Sequence, residues 1–148
     1  MLVIMIESPL CLQIGRLGSC DFPEGYYTYV GSALGGLDGR LKRHLRADKR
    51  YHWHIDYLLK SACIVEVWYT YSEHRLECIW NRAISRLPGA TYPAPKFGAS
   101  DCHCLSHLTH MATPTFFESF HYNLKEIKSL PAIYRFIPQT PGHFRHSI

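Results

Sequence analysis

The stretch that most constrains this chain runs from Gly25 to Arg46. Gly25-Tyr-Tyr-Thr-Tyr-Val-Gly-Ser-Ala33 is followed at once by Leu34-Gly-Gly-Leu-Asp-Gly-Arg-Leu-Lys-Arg-His-Leu-Arg46. Aromatic and β-branched residues over 26–30 read as a strand that Gly31 ends. The glycines after it make a turn in which a ligand can approach the backbone. Leucines at 37, 41 and 45 then recur at helical spacing, at about 100° per residue. Arg40 and His44 fall beside that stripe on its inner flank, and Lys42, Arg43 and Arg46 fall toward solvent. Phenols on a strand, an open turn and an arginine held at a core edge suit phosphodiester chemistry better than a plain scaffold.

The rest of the chain supplies a frame around this unit. Residues 2–6 form an apolar run that reads as a buried strand, and 8–24 read as a long connection with a short strand near 12–14. A second helix is expected from His52, with Ile55, Leu58 and Leu59 inward. A third strand is expected over Cys63–Tyr71, since its residues alternate. Ser72 is a plausible N-cap, and Leu76, Ile79, Trp80, Ala83, Ile84 and Leu87 behind it are spaced as one apolar helix face. Glu77 lies at the margin of that face. From Ala90 the chain turns irregular, a short helix is expected over 122–129, and Pro131, Pro138, Pro141 and Gly142 interrupt the C-terminal stretch. The expected architecture is α/β: a small, mostly antiparallel three-stranded sheet flanked by helices over 1–110, with an irregular extension over 111–148.

Charge and cysteine content narrow the classes. A length of 148 residues and 47% hydrophobic content allow one domain with a real core. The net charge of +4 is modest, but Arg40, Lys42, Arg43, Arg46, Lys49 and Arg50 lie together with Asp48 as the single acid among them. Such a local basic surface attracts polyanions, although a merely solvated helix face has the same appearance. Residues 1–7 lack a basic leader segment and no apolar run is long enough to span a membrane, so a cytoplasmic location is expected. The six cysteines are therefore expected as free thiols or metal ligands rather than disulfides.

In order, a strand, a strand ending in Tyr29-Val30-Gly31, a helix with Arg40 and His44, a third strand, and a helix opening at Glu77 resemble the GIY-YIG nuclease family. The resemblance is strongest to a branch of small, mostly uncharacterised proteins sometimes fused to DNA-repair enzymes. That branch shares Tyr29–Ala33, His52-Trp-His-Ile-Asp-Tyr-Leu-Leu59 and Phe97-Gly-Ala-Ser-Asp-Cys-His-Cys-Leu-Ser-His-Leu108. The first half of the family signature is not evident, because Leu2-Val-Ile-Met-Ile6 contains no tyrosine.

The resemblance implies a metal-dependent endonuclease hydrolysing DNA phosphodiesters. Glu77 would hold Mg²⁺ or Mn²⁺. Arg40 would fork onto the phosphate, and Tyr29 or Tyr27 would orient or deprotonate the water. His44 would share the proton work. Ser32, Lys42, Arg43, Arg46, Lys49 and Arg50 would position the nucleic acid. Each residue also has a structural alternative: strand aromatics for the tyrosines, a packing role for His44, and a bridge from Arg40 to Glu77 or Asp56. The alternative for the whole chain is a nucleic-acid-binding module of the same fold that does not cut, with zinc as an optional stabiliser. Cys102, Cys104 and His107, with His52 and His54 upstream, offer an incomplete zinc pattern. A hydrogen-bonded patch of Asp101, Cys102 and His107 beside His52 and His54 is the favoured reading of that cluster.

Overall fold

A computed structural model describes residues 1–125 and 130–139. Its centre is β1 (Leu2–Ile6), whose continuous apolar run reflects burial on both faces. It pairs antiparallel with β4 (Gly25–Tyr29), Leu2 opposite Tyr29 and Ile4 opposite Tyr27, and on its other side with β5 (Cys63–Tyr69). These are the three strands expected from the sequence, and they form the middle of a five-stranded sheet. Two further strands flank them: β6 (Leu108–Met111) against β4 and β7 (Tyr134–Phe136) against β5. The order is β6-β4-β1-β5-β7 and every pairing is antiparallel.

The expected long connection over 8–24 folds into a second, two-stranded sheet of β2 (Leu10–Gln13) and β3 (Ser19–Phe22) around a 3-10 turn at Gly15–Leu17. Ile14 and Phe22 from this hairpin are buried in the main core.

Each face of the sheet carries its own core. Leu2, Ile4 and Ile6 pack with Tyr27, Tyr29, Ile55, Leu58 and Phe97 on one side. Val3 and Trp68 pack with Trp80, Ile84, Phe120 and Leu124 on the other. The first face is covered by α1 (Leu37–Leu45), α2 (His54–Leu58) and the irregular segment before β6, and the second by α3 (Glu77–Ser85) and α4 (Phe116–Lys125).

Three helix expectations shift in detail. The buried face of α1 centres on His44 rather than on the leucine stripe, and Leu45, at the helix end, is 38% exposed. α3 opens at Glu77 itself. Ser72 instead accepts a bond from the His74 amide at 3.0 Å in the loop before the helix, and Ile79, expected inward, is exposed. α4 begins at Phe116, six residues before the expected start, while residues 126–129 of the expected helix, and Pro141 and Gly142, lie outside the described residues. No helix among the described residues is long and apolar enough to cross a membrane.

Candidate functional site

The carboxyl end of β4 builds the site. Beyond Tyr29 the chain leaves the sheet as Val30-Gly31-Ser32, and the Val30 amide donates to the His107 carbonyl at 3.1 Å. The Arg40 guanidinium reaches back from α1 and donates to the Ser32 carbonyl. The Ser32 hydroxyl donates to the Glu77 carboxylate from the other side. Arg40 and Glu77, 37 positions apart, are thus hooked to one residue, with the carboxylate in the first turn of α3, where the helix dipole favours it. Two glycines make this geometry possible. A Cβ on Gly31 would lie 2.9 Å from Arg40 Nη2. One on Gly98, whose φ is +66°, would lie 2.7 Å from the Tyr29 ring.

Tyr29, Ser32, Arg40, Glu77, Asp101 and His107 line an open groove of about 270 Å³. Past Ser32 and Glu77 it meets a larger hollow of about 510 Å³, walled by Tyr69, Tyr71 and Trp80. Tyr29 is 5% exposed. Burial raises its pKa, and the nearby Arg40 charge pulls only part of the way back. Its phenol is therefore protonated at neutral pH. Arg40 also lies 4.7 Å from the centre of the Trp53 ring, which places the guanidinium over an aromatic face.

The remaining expected site residues lie elsewhere. Tyr27 is fully buried, and its hydroxyl donates to the Pro23 carbonyl at 2.6 Å. His44 is buried behind Tyr29, in edge contact with its ring and tilted against Trp53, and does not line the groove. Arg43, expected on the solvent face, forks onto the fully buried Asp56 at 2.8 and 2.7 Å. Burial alone would raise the Asp56 pKa. The Arg43 fork and the amides of Trp53 and His52 override it and bring the carboxyl down to about 2. Lys49 donates to the His44 carbonyl at 2.7 Å and caps the end of α1. Lys42, Arg46 and Arg50 are exposed, and Arg46 and Arg50 line a shallow basic hollow with Tyr51 and His52.

A second constellation touches the groove from behind. The ligand atoms of Cys78, Cys102, Cys104 and His107 all lie within 4.8 Å of one another. Three sulfurs and one imidazole are a donor set that can hold a metal, and zinc is the ion such soft ligands suit. Cys78 carries no ligand signal in the sequence. It sits alone, and only its place beside Glu77 in the first turn of α3 brings it to the cluster. Of the expected patch, the Cys102–His107 contact forms at 3.3 Å, but Asp101, His52 and His54 do not join it. Asp101 faces Arg75 at 3.7 Å on the surface, His52 is exposed, and His54 Nδ1 accepts from the Gly98 amide at 3.2 Å.

The profile of the family described as domain of unknown function DUF123 matches residues 1–129. The chain belongs to the DUF123 family. The matched span contains the whole groove and all four cluster ligands. Comparison with curated proteins returns no match, and neither does comparison with solved structures.

Proposed function

We propose that the groove of this DUF123 domain hydrolyses phosphodiester bonds in DNA, as a metal-dependent endonuclease of the GIY-YIG kind. The observation that carries this reading is the convergence of Arg40 and Glu77 on Ser32, at the mouth of one open groove. A guanidinium with donors left over and a carboxylate beside it are the pair that phosphoryl transfer requires. One binds and neutralises the phosphoryl oxygens, and the other holds a hard cation.

Glu77 fits such a cation. It is half-buried, faces the groove, and only one of its oxygens is bonded to Ser32. A lone carboxylate completed by water suits Mg²⁺ or Mn²⁺, which would supply charge neutralisation at the phosphate. Arg40 forks onto the non-bridging oxygens and stabilises the charge that builds on them. Tyr29, protonated, donates a hydrogen bond that orients the attacking water or the phosphate rather than removing a proton. Lys42, Arg46 and Arg50, exposed on and beyond α1, attract the flanking backbone, while Arg43 and Lys49 hold the fold.

A second reading is a DNA-binding module that does not cut. It is favoured by β1, which presents no tyrosine beside Tyr29: Leu2 stands opposite it.

A plasmid-nicking assay with Mg²⁺ or Mn²⁺ separates the two. The endonuclease predicts cutting by the wild type and loss of about 10²-fold or more in Arg40→Ala and Glu77→Ala, with the fold intact. Lys42→Ala or Arg46→Ala would weaken binding and lower its salt slope by about one per residue, leaving the cutting step alone. Undiminished cutting in Glu77→Ala would overturn the metal assignment. Salt-sensitive binding with no nicking under any divalent ion would establish the module.

A further inference from the structure

The segment between α3 and β6 runs from Arg86 to His107 without a helix or a multi-residue strand, yet Ala94, Phe97, Ala99, Ser106 and His107 within it are buried. A connection of this length needs something to hold it. Part of the hold is visible: Asn81, one turn after Cys78 on α3, donates to the Ser106 carbonyl at 2.8 Å in a buried bond. The Cys/His cluster lies at the same seam. His107 Nε2 faces two sulfurs at once, Cys102 Sγ at 3.3 Å and Cys78 Sγ at 3.9 Å, and Cys104 is the third. One imidazole nitrogen carries at most one proton, so it cannot satisfy two converging thiols as donor. A shared cation satisfies all four ligand atoms. Four protein ligands fill the coordination of a tetrahedral ion and leave no position for a reactive water, which is the character of a structural rather than a catalytic site.

We propose that Cys78, Cys102, Cys104 and His107 bind one Zn²⁺ as a closed four-ligand centre that staples the first turn of α3 to the 102–107 loop and so sets Glu77 in the groove. Three thiols release their protons to solvent on binding and neutral His107 supplies the fourth bond, leaving the centre with a net charge of −1. The staple acts on both walls of the groove. Cys78 follows Glu77 directly on the wall made by α3. On the other wall, His107 holds the Val30 amide through its own carbonyl. The zinc assignment stands whether or not the domain cuts DNA, and only its effect on Glu77 rests on the groove reading above.

The test starts with zinc content of the full chain purified without chelator, where one zinc per chain is expected. Cys78→Ser, Cys102→Ser and Cys104→Ser each lower bound zinc more than tenfold, while Cys11→Ser and Cys63→Ser, at exposed cysteines away from the cluster, retain it. Because ligand variants can misfold, the metal-depleted wild type is also titrated. Zn²⁺ raises its melting temperature with one-to-one stoichiometry, and Co²⁺ gives the intense visible absorption of a tetrahedral thiolate site.

A wild-type chain that takes up no zinc in either measurement, zinc retained by all three ligand variants, or a disulfide among the three cysteines overturns the centre. The effect on Glu77 is read by Mn²⁺ binding in electron paramagnetic resonance, with Glu77→Gln as the blank. A folded Cys104→Ser chain is expected to bind Mn²⁺ about tenfold more weakly than wild type. Equal affinity would leave the zinc in place and overturn its positioning role. Zinc binding without any nicking would count against the nuclease alone.

Discussion

Arg40 and Arg43 lie three residues apart on α1 and both press on Trp53, at 4.7 and 4.2 Å from its ring centre. Their partners separate them. Arg43 spends its fork on Asp56, whereas Arg40 is bonded to the carbonyl of Ser32 and faces the groove. Two substitutions should therefore fail in different assays. Arg40→Lys keeps the charge but loses the planar fork, so the fold should be kept and nicking should fall by about 10²-fold. Arg43→Ala leaves the Asp56 carboxylate buried without its partner, and the loss should appear as about 3 kcal/mol in urea denaturation. If instead Arg43→Ala unfolds at the wild-type midpoint, or Arg40→Lys cuts normally, the division of labour between the two is wrong.

Among the elements, those legible in the sequence owe it to local periodicity. β1, β4 and β5 alternate or run apolar over five or more residues, and α1 and α3 show a stripe, so each could be placed. β6 and β7 could not. Leu108-Thr-His-Met111 has no pattern of its own and is a strand because β4 offers it an edge. Tyr134–Phe136, three residues between prolines, is a strand only against β5. The site divides the same way. Arg40 and Glu77 follow from their places on helices, but the Asp56 partner of Arg43 and the Cys78 member of the cluster are brought in by tertiary contact.

The two site glycines should respond differently to an added methyl. At Gly31 an added methyl meets the flexible end of Arg40. Gly31→Ala should leave stability within about 1 kcal/mol and lower nicking, because the guanidinium must leave Ser32. At Gly98 the positive φ and the rigid Tyr29 ring give no such escape, so Gly98→Ala should cost stability, by about 2 kcal/mol or more. Thermal melts of the two variants, beside nicking rates, would reverse this assignment if Gly31→Ala proved the less stable.

At the scale of the whole molecule, acid should loosen the fold through His44 before it reaches the carboxylates. His44 is 4% exposed, and its Nδ1 has no partner among the described residues. Tyr29 and Trp53 enclose it, and Arg40, Lys49 and Arg43 place positive charge around it against the single carboxylate of Asp56. Burial first, then these cations, lowers its pKa from 6.5 to about 3. The unfolded chain accepts this proton near 6.5 and the folded chain refuses it until about 3. Stability is therefore complete above that upper value and declines as pH falls through the window, by up to about 1.4 kcal/mol per pH unit. Asp56 acts in the same direction but later, since its carboxyl is lowered from 3.8 to about 2 and its contribution is lost only across that interval. His54, whose pKa burial also lowers, adds to the upper window. Urea denaturation of wild type and His44→Leu across the upper window should show the variant losing one proton's worth of slope, not all of it. Equal slopes in the two chains would mean that His44 already carries its proton in the fold, and it would then stand as a charged acid behind Tyr29 rather than as a neutral packing residue.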